Sequence, residues 1–469
     1  MYQISLLVGA AAALYLLFRI FTSRRQKWLT AQRAQSHGCL PPPSLKSKKG
    51  LQFNVVREAV AAVRDDRGPQ FVAEEMDRVS PDCHTVYLPI IPLLDYGLFV
   101  TRDPENFKAL YQSADFDISA SRQDCFMPLL GRGILTSRGD VWKHSRALVR
   151  PQFAKDLIGD LGAKERHVSS LMDRILVDRT TGWTEKMDLQ PLLFKYSLDQ
   201  STEFLYAQST NSLSEGDEAN ICEHLDAAKD WIEERGTAFT FSWLVGSKDF
   251  KNHCKVVHDF VDAIVARHLR SRQSEKKGLS ESDMETGRFS LLDELAKCTS
   301  DPLELRNETL HLLSASKDTT ACLISWAFYH LSRNQNAYQR LREEVKRLVG
   351  SAPATLQELQ ECEYLQWVIN ETLRITPVIA MNDRVALADC ILPRGGGPDG
   401  SAPVMVPKGT QVLMPIYAVQ HRRDLWGADA DTFRPERWET LRPGPEWMPF
   451  SGGRRKCLGR EWFPLDIPC

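Results

Sequence analysis

Phe450-Ser-Gly-Gly453-Arg-Arg455-Lys-Cys457-Leu-Gly459 is the stretch on which the reading of this 469-residue chain turns. Phe450, Gly453, Arg455, Cys457 and Gly459 stand in the spacing F-x-x-G-x-R-x-C-x-G. At roughly 0.05 usage per position, a chain of this length matches by chance on the order of once in ten thousand. A free cysteine is most often a small buried hydrophobe. Here Gly452 and Gly453 let the backbone turn tightly just ahead of Cys457. The other cysteines, Cys39, Cys83, Cys125, Cys222, Cys254, Cys298, Cys322, Cys362, Cys390 and Cys469, are scattered singly. Neither a C-x-x-C pair nor a C-x-x-C…H-x-x-x-H spacing occurs, which argues against zinc. An odd, unpatterned count of 11 fits reduced thiols facing a cytosol better than a disulfide framework.

Four further segments combine charge with an apolar surround. Glu371-Thr-Leu-Arg374 places acid and base at i,i+3 in an apolar helical pattern that Pro377 ends. Phe433-Arg-Pro-Glu436-Arg437-Trp438 follows. Ala315-Ser316-Lys317-Asp318-Thr319-Thr320 sits inside a long helical pattern from Leu303 to Leu331. Gly139-Asp-Val-Trp142-Lys-His-Ser-Arg146, preceded by Gly133-Ile-Leu-Thr136, puts Trp142 and Arg146 on one helical face.

Taken in order, these segments resemble the cytochrome P-450 superfamily, over nearly all of the chain from about Gly50 to Gly459. The resemblance implies that Cys457 is the thiolate ligand of a haem b iron, pushing electron density to favour O–O cleavage. Phe450 then screens the proximal face, and Gly453 and Gly459 allow close approach. Trp142, Arg146, Arg384 and Arg455 would meet the two haem propionates. Asp318 and Thr319 are the implied catalytic pair, delivering protons during dioxygen cleavage, with Asp318 linked to solvent. Ser316 stands where the family usually has glycine, and its hydroxyl can bond back to the helix carbonyls. Glu371, Arg374 and Arg437 would form a structural ion cluster that fixes the haem loop. A narrower resemblance, in His37-Gly-Cys39, Asn382-Asp-Arg384 and Leu392-Pro-Arg-Gly-Gly-Gly-Pro-Asp-Gly400, is to fungal members that hydroxylate alkanes and fatty acids.

At the other end, Ile4 to Phe21 reads ISLLVGAAAALYLLFRIF and is followed by Arg24, Arg25 and Lys27. That run reaches the lower length for spanning a hydrocarbon core, and positive charge behind it puts the remainder in the cytoplasm. The expectation is a transmembrane signal anchor over 4–21 in the endoplasmic reticulum membrane. A basic, Pro-rich linker over 22–50 would contain Pro41-Pro-Pro43 as a stiff spacer. The monooxygenase domain would then occupy 51–469. A polar stretch from Ser271 to Thr286 reads as a surface loop. Lys plus Arg number 59 against 61 Asp plus Glu, a balance that argues against nucleic acid as a partner.

After Gly459 the family continues into a long helix, whereas Pro464 and Pro468 forbid one here. The expectation is a domain lacking its C-terminal part, with weakened haem binding. The expected fold is mainly α with a smaller β region. The expected reaction consumes O2 and two electrons and hydroxylates a lipophilic small molecule. The resemblance implies that electrons would come from NADPH through a separate NADPH–cytochrome P-450 reductase. Two rivals remain: an inactive membrane-tethered remnant, and a haem-thiolate isomerase or dehydratase that needs no reductase.

Overall fold

The computed structural model describes residues 14, 18, 21–22, 24–45, 53–91, 96–153, 161–214, 220–237, 242, 245–276, 290–350 and 352–461. It is mainly helical with a small β region. Where the sequence suggests one domain over 51–469, the contacts divide the chain into two units. The first comprises Met1–Ser119, Arg374–Thr432 and Arg442–Lys456; the second comprises Ala120–Leu373, Phe433–Leu441 and Cys457–Cys469.

The first unit is built on a five-stranded sheet. Its strands are β1 (Thr85–Ile91), β2 (Tyr96–Thr101), β3 (Phe116–Asp117), β4 (Met381–Ala386) and β7 (Gln411–Pro415), while β5 (Cys390–Gly396) and β6 (Ala402–Val406) form a separate hairpin. The order is β1-β2-β7-β4-β3, with β2 and β7 parallel and the other pairs antiparallel. Alternation directs the burial: Val412 and Met414 of β7 face the core on either side of the half-buried Leu413. They join Val404 and Val406 of β6 and Phe107, Leu110 and Tyr111 of the helix Pro104–Gln112. That helix starts where it does because Asp103 accepts from the Glu105 and Asn106 amides and Pro104 opens the first turn.

The Pro-rich run is not a free spacer. Leu40 N donates to the Pro403 carbonyl, Gly397 N to that of Pro41, Tyr87 N to that of Pro43, and Leu45 N to that of Tyr87. Residues 24–36, in the expected linker, are helical. Most of the expected anchor over 4–21 lies outside the described residues. Among the described residues, no helix is long and apolar enough to cross a membrane.

The second unit is a helical body whose main core draws on Gln190–Tyr206, Ile221–Thr237, Lys248–Lys276, Leu291–Cys298 and Pro302–Arg333. The last of these, the long helix, has 32 residues, about 48 Å at 1.5 Å each. Its start is fixed by Asp301, whose side chain accepts from Leu303 N, and by Pro302 at the first position. The helix Lys248–Lys276 carries on through Ser271, so the stretch read as a loop is helical as far as Lys276. The remainder of that stretch, 277–286, lies outside the described residues.

Two titratable groups sit buried on the long helix beneath the loop Gly131–Thr136. A Cβ at Gly133 would come within 2.2 Å of His311 Cδ2, so only glycine lets this loop lie so close. Burial pushes the Glu308 carboxyl up to about 7, with bonds from Ser145 and the Ile134 amide opposing, Glu304 adding to the rise and His144 reducing it. Burial lowers His311 to about 3. Because its folded value is raised, the stability Glu308 contributes is fully present below about 4.5 and is lost as pH rises through about 7. Glu308→Gln cannot ionise, so we expect variant and parent to unfold alike near pH 5. At pH 8 the variant should gain on the order of 2–3 kcal/mol. Thermal unfolding at both values checks this, and equal midpoints at pH 8 would contradict it. His311 contributes stability above about 6.5 that is lost as pH falls toward 3, but variant and parent share that change, so their difference at each pH reports Glu308 alone.

Candidate functional site

The loop that opened the sequence reading belongs to the first unit up to Lys456. Gly453 has φ +61, and a Cβ there would lie 1.9 Å from the Tyr111 carbonyl oxygen. The glycine is therefore required twice over, by conformation and by space. Gly453→Ala should cost at least about 2 kcal/mol and raise the rate of loop opening, read as faster hydrogen exchange over 448–456. Unchanged exchange and unfolding would contradict this. Ser451, with φ +58, accepts from Asn382 Nδ2 at 3.3 Å, tying the loop to β4.

Two expected propionate partners also lie in this unit. Arg455 Nε is 2.6 Å from Asp117 Oδ1, and Arg454 Nη2 donates to the Ala114 and Phe116 carbonyls at 3.1 Å each. Arg384, on β4, donates to Asn382 Oδ1 at 3.2 Å and the Asp383 carbonyl at 2.7 Å, with its guanidinium 5.1 Å from the Tyr111 ring centre. Arg374 is wholly buried. It donates Nη1 to the Gln420 and Ala430 carbonyls at 3.0 and 2.7 Å and Nη2 to that of Thr432 at 3.2 Å, and it lies over Trp426.

In the second unit, Cys457 is exposed and takes no part in a disulfide. Leu458–Glu461 forms one 3-10 turn packed on Arg150–Phe153, and the segment containing Pro464 and Pro468 lies outside the described residues. The helix Gly139–Val149 buries Trp142 and lays the Arg146 guanidinium 5.6 Å from its ring centre, the one-face arrangement that i,i+4 spacing predicts. Burial lowers the Arg146 pKa and Arg150 adds to this, while negative charge on Cys457 opposes both.

Glu371, the acid of the E-x-x-R pair, is fully buried. Its Oε1 accepts from Arg434 N and Arg437 Nε, both at 2.9 Å, and its Oε2 from Trp438 Nε1 at 3.0 Å. The expected Glu371–Arg437 pair is present, and Trp438 is a partner the sequence reading did not assign.

The centre of the long helix holds a charge network that motif reading missed. Lys317 is fully buried. Its Nζ bonds Asp226, lies 3.3 Å from Asp318 Oδ1, and sits 4.6 Å from the centre of the Phe194 ring. Lys229 Nζ donates to Asp318 Oδ2 at 2.5 Å. Burial works against the Asp318 charge, but Lys229 and Lys317 outweigh it and hold the carboxyl below its usual value. The i,i+3 pair Asp226 and Lys229, both on Ile221–Thr237, was the available signal. Beside the network, Thr319 Oγ1 donates to the Ala315 carbonyl at 2.7 Å. Ser316 Oγ lies 3.0 Å from the Leu312 carbonyl oxygen, the back-bond expected of it, and 2.9 Å from Ser201 Oγ.

Among the described residues there is no group of three or more His, Cys, Asp or Glu able to hold a metal ion. The donor set around Cys457 is one thiol with a half-buried guanidinium and an indole. Such a set would fit a haem, with the thiol able to hold its iron and the guanidinium its carboxylates.

Comparison with known proteins gives the same direction. The family model for cytochrome P-450 matches residues 74–461. A cytochrome P-450 monooxygenase, g430, of a Fusarium species is 36% identical, covering 99% of this chain and 84% of its own. Cytochrome P-450 52A13 of Debaryomyces hansenii is 34% identical, with 91% and 83% covered. Cytochrome P-450 52A5 of Candida maltosa is 37% identical, with 79% and 73% covered. On motif order, helical architecture and this breadth of similarity, the chain belongs to the cytochrome P-450 family and is an enzyme of that class.

Proposed function

We propose that the chain is a haem-thiolate monooxygenase acting on a lipophilic substrate, with alkanes and fatty acids as the preferred class. The observation that carries this is the Phe450–Gly459 loop, which presents the Cys457 thiol in the same unit as Arg146 and Trp142. Cys457 would hold the iron of haem b, and Arg146, Trp142, Arg384 and Arg455 its carboxylates. When bound, the haem would supply oxygen activation. The chain's own residues handle the protons: Thr319 Oγ1 holds one, and the Asp318 carboxylate exchanges one with Lys229 Nζ, which reaches it at 2.5 Å. Glu371 with Arg437, and Arg374 with the Gln420, Ala430 and Thr432 carbonyls, would hold the segment that leads to the loop. The substrate class rests on the similarity to the 52A proteins and on the Gly-rich β5–β6 turn.

Electrons would reach the haem from NADPH through NADPH–cytochrome P-450 reductase. We place the protein at the endoplasmic reticulum membrane with its enzymatic part facing the cytoplasm. This follows from the apolar run over 4–21 and the Arg24, Arg25 and Lys27 behind it. One observation favours a second reading, a reductase-independent isomerase or dehydratase: Asp318 is clamped by two ammonium groups. Incubation with reductase, NADPH, O2 and dodecanoic acid or dodecane separates the two. The monooxygenase gives hydroxylated product only with NADPH, whereas product formed without NADPH or reductase would overturn it.

A further inference from the structure

Arg138 is the N-cap residue of Gly139–Val149, and its guanidinium is half-buried. Its Nε and Nη2 are buried with no hydrogen-bond acceptor. A guanidinium stays protonated at any relevant pH, so it cannot escape an apolar site by losing its charge. Two buried N–H groups on a fixed fork are a strained arrangement unless an anion completes them. The planar partner that matches such a fork is a carboxylate.

Position says which carboxylates can reach it. Arg138, Trp142 and Arg146 follow at four-residue steps, and Arg146 lies over Trp142 within electrostatic reach of Cys457. Arg138, as the N-cap, stands at the start of this same helix, about one turn ahead of Trp142. Among the described residues no carboxylate is paired with Arg138, although Asp140 stands two residues away and pairs with Lys143 at 2.8 Å.

We propose that Arg138 is a carboxylate-binding residue whose anion arrives with a ligand, either on the haem or on an acid substrate. This rests on the haem-thiolate reading above, but it adds a residue outside the motif set and a specific chemistry for it. The test uses the holoprotein with Arg138→Gln and Arg138→Lys. In one arm, haem transfer to a scavenger haem protein is timed for native haem and for the haem dimethyl ester. In the other, dodecanoic acid and dodecane are titrated by difference spectroscopy.

If the carboxylate is the haem's, Arg138→Gln speeds loss of native haem at least tenfold and Arg138→Lys less, while the ester leaves all three proteins at one rate. If it is the substrate's, Arg138→Gln weakens dodecanoic acid at least tenfold and leaves dodecane unchanged. In both cases the haem-free variants unfold no earlier than the parent, which a purely structural arginine would not allow. Native-haem loss and acid affinity both within twofold of the parent would overturn the proposal. A parent that binds haem without a thiolate signature contradicts the function reading instead, and the haem-loss ratio still decides the role of Arg138.

Discussion

Replacing Glu371 with Ala is expected to lower the stability of this protein by about 3–5 kcal/mol, the range for breaking a buried ion pair from one side. The carboxylate serves three donors, Arg434 N, Arg437 Nε and Trp438 Nε1, at 2.9 to 3.0 Å. Arg437 is only 6% exposed and cannot turn to water. Its guanidinium would lose the carboxylate that it bonds at 2.9 Å. Since whole domains are stable by only about 5–15 kcal/mol, the variant should accumulate largely unfolded or aggregated at 37 °C. Replacing both partners, Glu371→Met with Arg437→Met, should recover much of the loss, because the desolvation penalty leaves with the charges. Denaturant unfolding of the three proteins measures this. A Glu371→Ala loss under about 1 kcal/mol would show that the pair is not the anchor its burial indicates.

Asp318→Asn should slow product formation by about 10²-fold or more, the lower range for loss of a positioned acid–base group. Haem content should be unchanged, and NADPH oxidation should run on without matching product. The amide keeps the shape but cannot exchange a proton. Lys229→Met should slow product formation too, because it removes the ammonium with which Asp318 exchanges a proton, although Lys317 still holds the carboxylate charged from 3.3 Å. Because both lysines hold the carboxyl below its usual value, the parent rate should not decline through Asp318 titration above about pH 5. Product formation by Asp318→Asn within threefold of the parent would remove Asp318 from the proton path.

The parts of this structure that are legible in sequence are those whose causes are local. The long helix is bounded by the Asp301-Pro302 start and filled by apolar periodicity, so its extent follows closely. Trp142 and Arg146 stack because four residues bring side chains onto one face. The Cys457 loop declares itself through glycines that nothing else replaces, Gly453 above all. What escaped depends on distant partners or on backbone atoms. Lys229 and Asp226 meet Lys317 and Asp318 from a helix some ninety positions earlier, and an ion pair leaves no mark on either segment alone. Arg374 spends its donors on carbonyls, which every residue has. The Pro41–Pro43 run looks like a spacer by composition, yet it is pinned by main-chain bonds that composition does not encode. Ser271 to Lys276 is polar enough for a loop but extends a helix already nucleated upstream.

The central claim is that Cys457 ligates haem iron as a thiolate. It is tested most directly by the reduced, CO-bound absorption spectrum of the purified protein beside Cys457→His. The parent should show the strongly red-shifted Soret band of a thiolate-ligated haem, and the variant should bind haem but lose that shift. A parent spectrum indistinguishable from that of Cys457→His, at full haem occupancy, would contradict the assignment.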